Sequence, residues 1–413
     1  MRRRTFIRGA ALAASAVAVP ALRAATARAA IVGGGFGGSA CALLLKAADP
    51  SIDVTLIDPA ERYVTCPMSS EVVIGTRTLE SLTVTREGLR RAGVRFVRGR
   101  ATAIDADTRT LRLEGGTRLG YDACVVAPGI RFLWGRPEGY DESAAQQMPH
   151  AWEAGAQTLR LAERLRAMDD GGVFAISVPS GLMRCPPGPY ERASLIAEYL
   201  ARHKPRSKIL IFDANNRFPR KEAFAAAWDA LYRGRLEWIA MTEGGAVQRV
   251  DARAGRLYTS SGTHRVAVAN VIPPQAPAQF AVDAGLASGR GWCPVDPASF
   301  ESTKLPHVHV IGDACIADAM PKAASAALSQ ARRCVEAIIA KLHGREPPPS
   351  KLDSVCYSAL STREALAIRA RFEVANGHIE AIATGAEAAE AAQVGHEAAQ
   401  AWYRSIRAAS FGA

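Results

Sequence analysis

The sequence predicts an α/β protein made of two Rossmann-type domains and a smaller C-terminal α+β domain, and three observations carry that expectation. First, the apolar run 29–32 leads into Gly33-Gly-Gly-Phe-Gly-Gly38, so Gly33, Gly35 and Gly38 take the G-x-G-x-x-G spacing. An apolar helix is expected over 39–47. The strand Asp53–Asp58 then ends in an acid 20 residues past Gly38, where a ribose hydroxyl would be held. Second, the apolar runs 172–178 and 208–213, with a helical pattern over 190–203 between them, repeat that strand–helix–strand plan. Third, an alternating stretch from Ala365 runs into Asn376-Gly377, the dipeptide of a tight hairpin turn, before an alanine-rich terminal helix.

Taken in order, residues 28–150 read as strand, glycine turn, helix and strand, then a loop around Cys66 and a helix near 79–92. A strand from Val94, a hairpin and a closing strand into Val125-Val-Ala-Pro-Gly129 complete the segment. A tight turn, a backbone bare enough to meet a pyrophosphate and a helix N-terminus with free N–H groups suit this start to an anionic dinucleotide. Residues 151–265 form the second unit, opening with a helix over 152–168. Where its glycine fingerprint should stand, the loop 179–189 reads Pro-Ser-Gly-Leu-Met-Arg-Cys185-Pro-Pro-Gly-Pro. The prolines remove donors and stiffen the loop, so no nicotinamide site is expected there. Residues 266–345 return to the first unit and carry His307-Val-His-Val-Ile-Gly312-Asp313, a strand ending in Gly-Asp. The Pro-rich stretch 346–350 marks a boundary, and 346–413 form the last domain. On its terminal helix, Trp402, Tyr403 and Ile406 are expected to pack rather than to touch a cofactor.

By analogy with two-motif FAD proteins, Gly312 and Asp313 would meet the ribityl or pyrophosphate part of the cofactor, and two nucleotide motifs so far apart point to FAD rather than NAD. The first 27 residues read as an export signal of the twin-arginine (Tat) type, with Arg2-Arg-Arg-Thr-Phe-Ile7, an alanine-rich stretch and a small-x-small site at Ala25-Thr-Ala27. That segment holds five arginines and no acids, so its removal takes the formal net charge from +11 to about +6. Such a mildly basic chain draws small anions or an acidic partner. Without a basic run interleaved with aromatics it does not suggest nucleic acid. No later stretch reaches 18 uninterrupted apolar residues, so no membrane span is expected. The eight cysteines show neither C-x-x-C nor C-x-x-C-H spacing, which excludes zinc, thioredoxin-like and c-haem readings; no metal site is expected.

Three cysteines stand out. Cys66, in Arg62-Tyr-Val-Thr-Cys-Pro-Met-Ser-Ser-Glu71, follows the ribose-binding strand and reads as a buried thiol, a redox thiol or a covalent tether. Cys185 in its proline loop and Cys356 in Ser354-Val-Cys-Tyr-Ser lie 171 residues apart, so only the fold could join them, and unrelated free thiols are the other reading. Cys41, Cys124, Cys293, Cys315 and Cys334 fall in helix or strand settings and read as small buried hydrophobes.

The strings Cys185-Pro-Pro-Gly-Pro-Tyr-Glu-Arg-Ala193, Tyr63-Val-Thr-Cys66, Gly291-Trp-Cys-Pro-Val-Asp296, Val308-His-Val-Ile-Gly-Asp-Ala314, Met320-Pro-Lys322, Cys356-Tyr-Ser and Pro149-His-Ala-Trp-Glu-Ala-Gly155 resemble the flavoprotein subunit of flavocytochrome c sulfide dehydrogenase over nearly the whole mature chain. The resemblance implies a glutathione-reductase-like fold, a periplasmic location, FAD joined by a thioether at Cys66 and a redox-active disulfide between Cys185 and Cys356. It also implies an acid/base role for Glu191, for which a helix-start acid complementing the dipole is the alternative. Lys322, or the helix start after it, would face the flavin. Ser70 stands where the family has asparagine, and Leu328 where it tends to have one.

The expected activity is oxidation of hydrosulfide through the disulfide and FAD, with electrons leaving to a c-type cytochrome on another polypeptide. The rivals are a sulfide:quinone oxidoreductase, an NAD(P)H-dependent flavin reductase of the disulfide type, and a flavin-bearing assembly module that is not an enzyme.

Overall fold

The computed structural model describes residues 26–289, 291–349, 351–382 and 391–412; most of the expected export signal, and Ser350 of the Pro-rich boundary, lie outside them. The first segment supplies β1 (Arg28–Val32), α1 (Phe36–Ala48), β2 (Asp53–Asp58), α2 (Ser69–Ile74), β3 (Arg95–Arg98) and β4 (Ala123–Val126). Next come α3 (Ala156–Ala167), β5 (Val173–Val178), α4 (Gly188–His203), β6 (Lys208–Asp213), β7 (Leu236–Ile239) and β8 (Val268–Val271). The chain ends with β9 (Val308–Val310), α5 (Ala324–Leu342), β10 (Leu352–Ala359), β11 (Glu364–Ala375), β12 (His378–Ala381), β13 (Ala391–Gly395) and α6 (His396–Phe411).

The first sheet runs β9-β4-β1-β2-β3, all parallel. Its central strands are near-continuous apolar runs because helices and loops cover both faces. Its edge strand β9 arrives about 180 residues after β4, with Val308 opposite Cys124. The second sheet, β7-β6-β5-β8, is also parallel and repeats the plan. In the third sheet β11 lies between β10 and both β12 and β13, all antiparallel. These two parallel sheets and the antiparallel third are the mixed α/β architecture the sequence predicted.

Several boundaries differ from the sequence reading. The helix expected near 79–92 is a 3-10 turn (Glu80–Leu82), a strand (Thr83–Thr85) and a short helix (Glu87–Arg91). β-Branched Thr83, Val84 and Thr85 favour extended chain, and the strand pairs with Arg62–Val64. The helix expected from 152 starts only at Ala156, because Gly155 breaks the chain at φ 143° and frees Trp152 to pack elsewhere. The Asn376-Gly377 turn forms as expected, with φ of 53° and 76°, the pair of positive values a two-residue hairpin requires. The five cysteines read as core residues are all buried.

Small residues let α1 and α5 pack closely, with Ala40, Cys41, Ala331 and Cys334 fully buried between them. Gly38 sits on α1 against the turn it follows: a Cβ there would lie 1.9 Å from the Gly33 carbonyl oxygen, whereas one on Gly37 would make ordinary contacts at 3.5 Å. Gly38→Ala is therefore expected to destabilise by about 1–3 kcal/mol in urea unfolding, the range for overpacking. Gly37→Ala should stay close to the parent, and equal effects from the two would contradict the packing account.

Candidate functional site

A cavity of about 740 Å³ opens where the sheets meet the C-terminal domain. At one part of its wall stands the glycine turn. Gly33 is left-handed (φ 98°), and Gly34 donates its N–H to Asp58 Oδ2 at 2.7 Å. Gly33, Gly35 and Asp58 line the cavity; Gly38 lies behind them and serves packing. Asp58 is more engaged than the sequence suggested. Its Oδ1 accepts the Ala60 N–H at 2.8 Å and pairs with Arg86 Nη2 at 3.2 Å. Arg86, 0 % exposed, donates to the Gly34 carbonyl at 2.5 Å and the Ala60 carbonyl at 3.1 Å. No motif announced this arginine, which holds the turn from 52 residues downstream.

Gly312 and Asp313 meet the same cavity from the end of β9. Gly312 is left-handed and donates its N–H to Gln330 Oε1 at 2.7 Å, which ties the turn to α5. Burial pushes the Asp313 carboxyl up, opposed by the charges of Arg184 and Lys322. Lys322 does not line the cavity. Its ammonium donates to the carbonyls of Asp313 (2.7 Å) and Cys315 (2.9 Å) and lies 3.8 Å from the Trp292 ring centre, so it braces the turn instead. What faces the cavity is the start of α5, through Ala323, Ala324 and Ala327, with no side-chain cap on its first turn. Uncapped N–H groups there suit an anionic or electron-rich ligand atom.

Cys66, Cys185, Cys356 and Glu191 line this cavity too. All three cysteines are free thiols in the structure. Cys185 holds a left-handed backbone (φ 53°), unusual for a residue with a side chain, and donates its N–H to the Lys322 carbonyl at 2.8 Å. Its sulfur lies over Gly188, where a Cβ would come within 2.9 Å of it and 2.8 Å of the Trp152 ring. Cys356 is on β10, opposite Ile368, with Ser325 Oγ 3.6 Å from its sulfur. Burial raises both thiols, and the Glu191 charge raises them further; Cys185 also feels Cys356 and Cys66.

Glu191 stands in the first turn of α4. Burial, then the charge of Glu71, push its carboxyl up to about 7, while Arg192 and His396 act the other way. Glu71 is itself buried. Desolvation pushes it up, but hydrogen bonds from His396 (2.8 Å) and Arg77 (2.7 Å) outweigh that and hold it below the usual range.

Arg192, 3 % exposed, donates to the carbonyls of Ala151 (2.8 Å) and His150 (3.3 Å), to Asn270 Oδ1 (2.9 Å) and to Ser70 Oγ (3.4 Å). It thus pins the 149–155 segment and the start of α2 to α4. Burial and the Arg192 and Arg184 charges push His150 down to about 3, so it is neutral at physiological pH and its Nδ1 accepts the Trp152 N–H at 3.0 Å. Of the three side chains singled out on the terminal helix, Tyr403 and Ile406 pack as expected. Trp402 packs too, its ring 5.6 Å from that of Tyr357, and it also lines the cavity.

The residues fit a flavin dinucleotide. A glycine cradle, an uncapped helix start and Asp313 share one cavity with three cysteines. Lining residues also carry buried donors without partners, Arg131 Nε and Trp402 Nε1, which a polar ligand would satisfy. No group of His, Cys, Asp or Glu among the described residues is arranged to hold a metal ion.

Comparisons with known proteins match three segments of the chain and its fold. Residues 158–273 match the family described as sulfide dehydrogenase (flavocytochrome c) flavoprotein chain, central, and 348–411 match flavocytochrome c sulphide dehydrogenase, flavin-binding. Residues 27–158 match pyridine nucleotide-disulphide oxidoreductase. The chain is 21% identical to the mitochondrial sulfide:quinone oxidoreductase of Mus musculus over 300 residues, 68% of this chain and 64% of that protein. It is 30% identical to the sulfide-quinone reductase of Aquifex aeolicus over 115 residues, 28% of this chain and 26% of that one. It thus spans less than two thirds of either relative. The solved sulfide:quinone oxidoreductase of Aquifex aeolicus superposes with a TM-score of 0.73 at 17% identity, covering 94% of this chain and 93% of the other. The covalent putidaredoxin reductase–putidaredoxin complex gives 0.66 at 16%, covering 94% of each. These two similarities establish the shared fold. Over 47 residues, 11% of this chain, it is 53% identical to 98% of the sulfide dehydrogenase (flavocytochrome c) flavoprotein chain of Chlorobaculum thiosulfatiphilum. With two of its segments matching that family and this identity over nearly the whole of one member sequence, the chain belongs to the flavoprotein chains of flavocytochrome c sulfide dehydrogenase.

Proposed function

We propose that this chain oxidises hydrosulfide through a disulfide between Cys185 and Cys356, with FAD held by a thioether to Cys66 and electrons leaving to a separate c-type cytochrome. The observation that carries this reading is the convergence of Cys66, Cys185, Cys356 and Glu191, drawn from distant stretches, on the cavity that the glycine turn and Asp313 also line. FAD supplies there a two-electron acceptor that can release its electrons one at a time. Glu191, with its carboxyl near neutrality, is poised to accept the proton of an attacking hydrosulfide. Arg192 and Arg184 hold the 149–155 segment over this chemistry, Arg184 by donating to the Trp152 carbonyl.

Two features support a cytochrome over the rival acceptors. The second sheet meets its helix through the proline loop rather than a glycine turn, which disfavours a nicotinamide. The terminal helix α6 turns Ala399, Tyr403, Ile406 and Phe411 inward, so its apolar face is used on the protein rather than offered to a membrane. No helix among the described residues is long and apolar enough to cross a bilayer. The proposed site of action is the periplasm, reached by the Tat pathway. Cleavage after Ala27 would place the new ammonium on Arg28, whose backbone nitrogen lies 2.8 Å from Asp122 Oδ2. N-terminal sequencing of the protein from a periplasmic fraction should begin at Arg28, and recovery of uncleaved protein from the cytoplasm alone would refute export.

In anaerobic titration, sulfide but not NADH should bleach the flavin of the purified protein, and acid precipitation should leave the flavin in the pellet. Cys66→Ala should release flavin to the supernatant. Cys356→Ser should keep the flavin but lose sulfide-driven bleaching; bleaching by NADH, or an active Cys356→Ser protein, would point to a different reductase on this fold.

The rate of sulfide-driven bleaching should rise with pH through a limb near 7 as Glu191 loses its proton and becomes able to accept one. Glu191→Gln should cost about a hundred-fold, the scale of a lost general base. Glu71→Gln removes a negative charge beside Glu191, makes that carboxyl easier to ionise, and should move the limb to lower pH. A limb unmoved in both variants would belong to another group.

A further inference from the structure

The two cysteine sulfurs sit in unlike settings, and the difference assigns the direction of the first chemical step. Cys356 faces two hydroxyls. Ser325 Oγ, in the first turn of α5, lies 3.6 Å from its sulfur and 3.1 Å from Ser354 Oγ, and it accepts the Val355 N–H at 3.2 Å. Ser354 shares a face of β10 with Cys356, two residues along, and its hydroxyl also favours the Cys356 anion. The hydroxyl pair has two protons. One is used in the bond between the two oxygens, whichever of them donates, and the other is left for the Cys356 sulfur.

Among the described residues, Cys185 has no such donor. It precedes α4, whose start would ordinarily stabilise a thiolate, yet Pro186, Pro187 and Pro189 have no N–H to offer. The Gly188 N–H is bonded to the carbonyl of Cys185 itself, and those of Tyr190 and Glu191 to the carbonyl of Pro187. Among the described residues, the first turn of α4 thus has no amide left for the Cys185 sulfur. The charge of Arg184 alone favours its anion, against burial and the charges of Glu191, Cys356 and Cys66.

We infer that hydrosulfide attacks the Cys185 sulfur, which becomes the persulfide, and that Cys356 leaves as a thiolate held by the Ser325–Ser354 hydroxyl pair. This rests on the disulfide of the proposed function. In the step, the hydrosulfide sulfur bonds to Cys185 Sγ, the Cys185–Cys356 bond breaks, and its electron pair stays on Cys356. The hydrosulfide sulfur is oxidised as the disulfide is reduced, and the proton left on the terminal persulfide sulfur passes to Glu191. Exchange runs fastest when the sulfur that leaves is the better-stabilised thiolate, and the hydroxyl pair beside Cys356 selects this direction.

The experiment starts from the oxidised, flavin-loaded full chain. A first sample is alkylated with iodoacetamide before any sulfide is added. A second receives one equivalent of sulfide anaerobically, is quenched with iodoacetamide and is mapped by mass spectrometry. The expected result is an unreactive Cys185–Cys356 pair in the first sample. In the second, one extra sulfur should lie on the Cys185 peptide and a plain carbamidomethyl group on Cys356. The extra sulfur on Cys356, or on neither peptide, overturns the assignment. Free Cys185 and Cys356 before sulfide would remove the disulfide itself and the assignment with it. A second measurement tests the hydroxyls. In the reduced protein, Ser325→Ala should raise the pH midpoint of Cys356 alkylation by about one unit, a ten-fold loss of thiolate below the midpoint. That of Cys185 should stay in place, though Glu191 faces both sulfurs. An unchanged Cys356 midpoint overturns the role given to Ser325.

Discussion

Everything in the cavity depends on how the buried Arg192 guanidinium is surrounded. It sits beside Glu191 on α4 and is bonded at once to the 149–155 segment, to Asn270 on β8 and to Ser70 at the start of α2, four residues after Cys66. A buried cation without such partners would be strongly unfavourable, since desolvation costs several kcal/mol. Here burial draws it down only to about 10, so it keeps its charge at neutral pH, aided by the Glu191 charge. Because one planar group satisfies partners from three separate stretches, the Cys66 loop, the second parallel sheet and the helix bearing Glu191 keep fixed positions relative to one another.

A second consequence is electrostatic. The cavity combines a carboxyl pushed up by burial and by Glu71, thiols pushed up by burial, and a neutral His150. Taken alone, such desolvation would suppress anion formation throughout. The structure relieves it selectively, through the uncapped start of α5 and the hydroxyl pair beside Cys356. The proline-rich start of α4 withholds the same help from Cys185. Two chemically identical side chains therefore differ in how readily they carry charge.

Lys322 illustrates how a correct sequence signal can carry a different role. Its place after Met320-Pro321 and before a helix suggested a charge facing a flavin, and the helix start does face the cavity. The ammonium instead spans the carbonyls of Asp313 and Cys315 over the Trp292 ring. Lysine is long enough to reach several partners, and the sequence has no term for which of them lies nearest after folding.

The glycine turn, the acid of β2, the strand ending at Gly312-Asp313 and the Asn376-Gly377 hairpin were all legible in the sequence. Each is a local pattern whose backbone angles or spacing only a few residues can satisfy. The cysteines and Glu191 were legible by resemblance to a family. By contrast, Arg86, Arg192, Glu71 and Trp402 carry no local signature. An arginine 52 residues from the turn it holds, or a glutamate whose partner His396 lies 325 residues away, acquires its meaning only when distant segments meet. The sequence by itself determined which strands, turns and reactive side chains the chain has, because those depend on neighbours along the backbone. Tertiary structure alone decided which of them share a cavity and how each is charged there, because burial and hydrogen-bond partners come from residues far away in the chain.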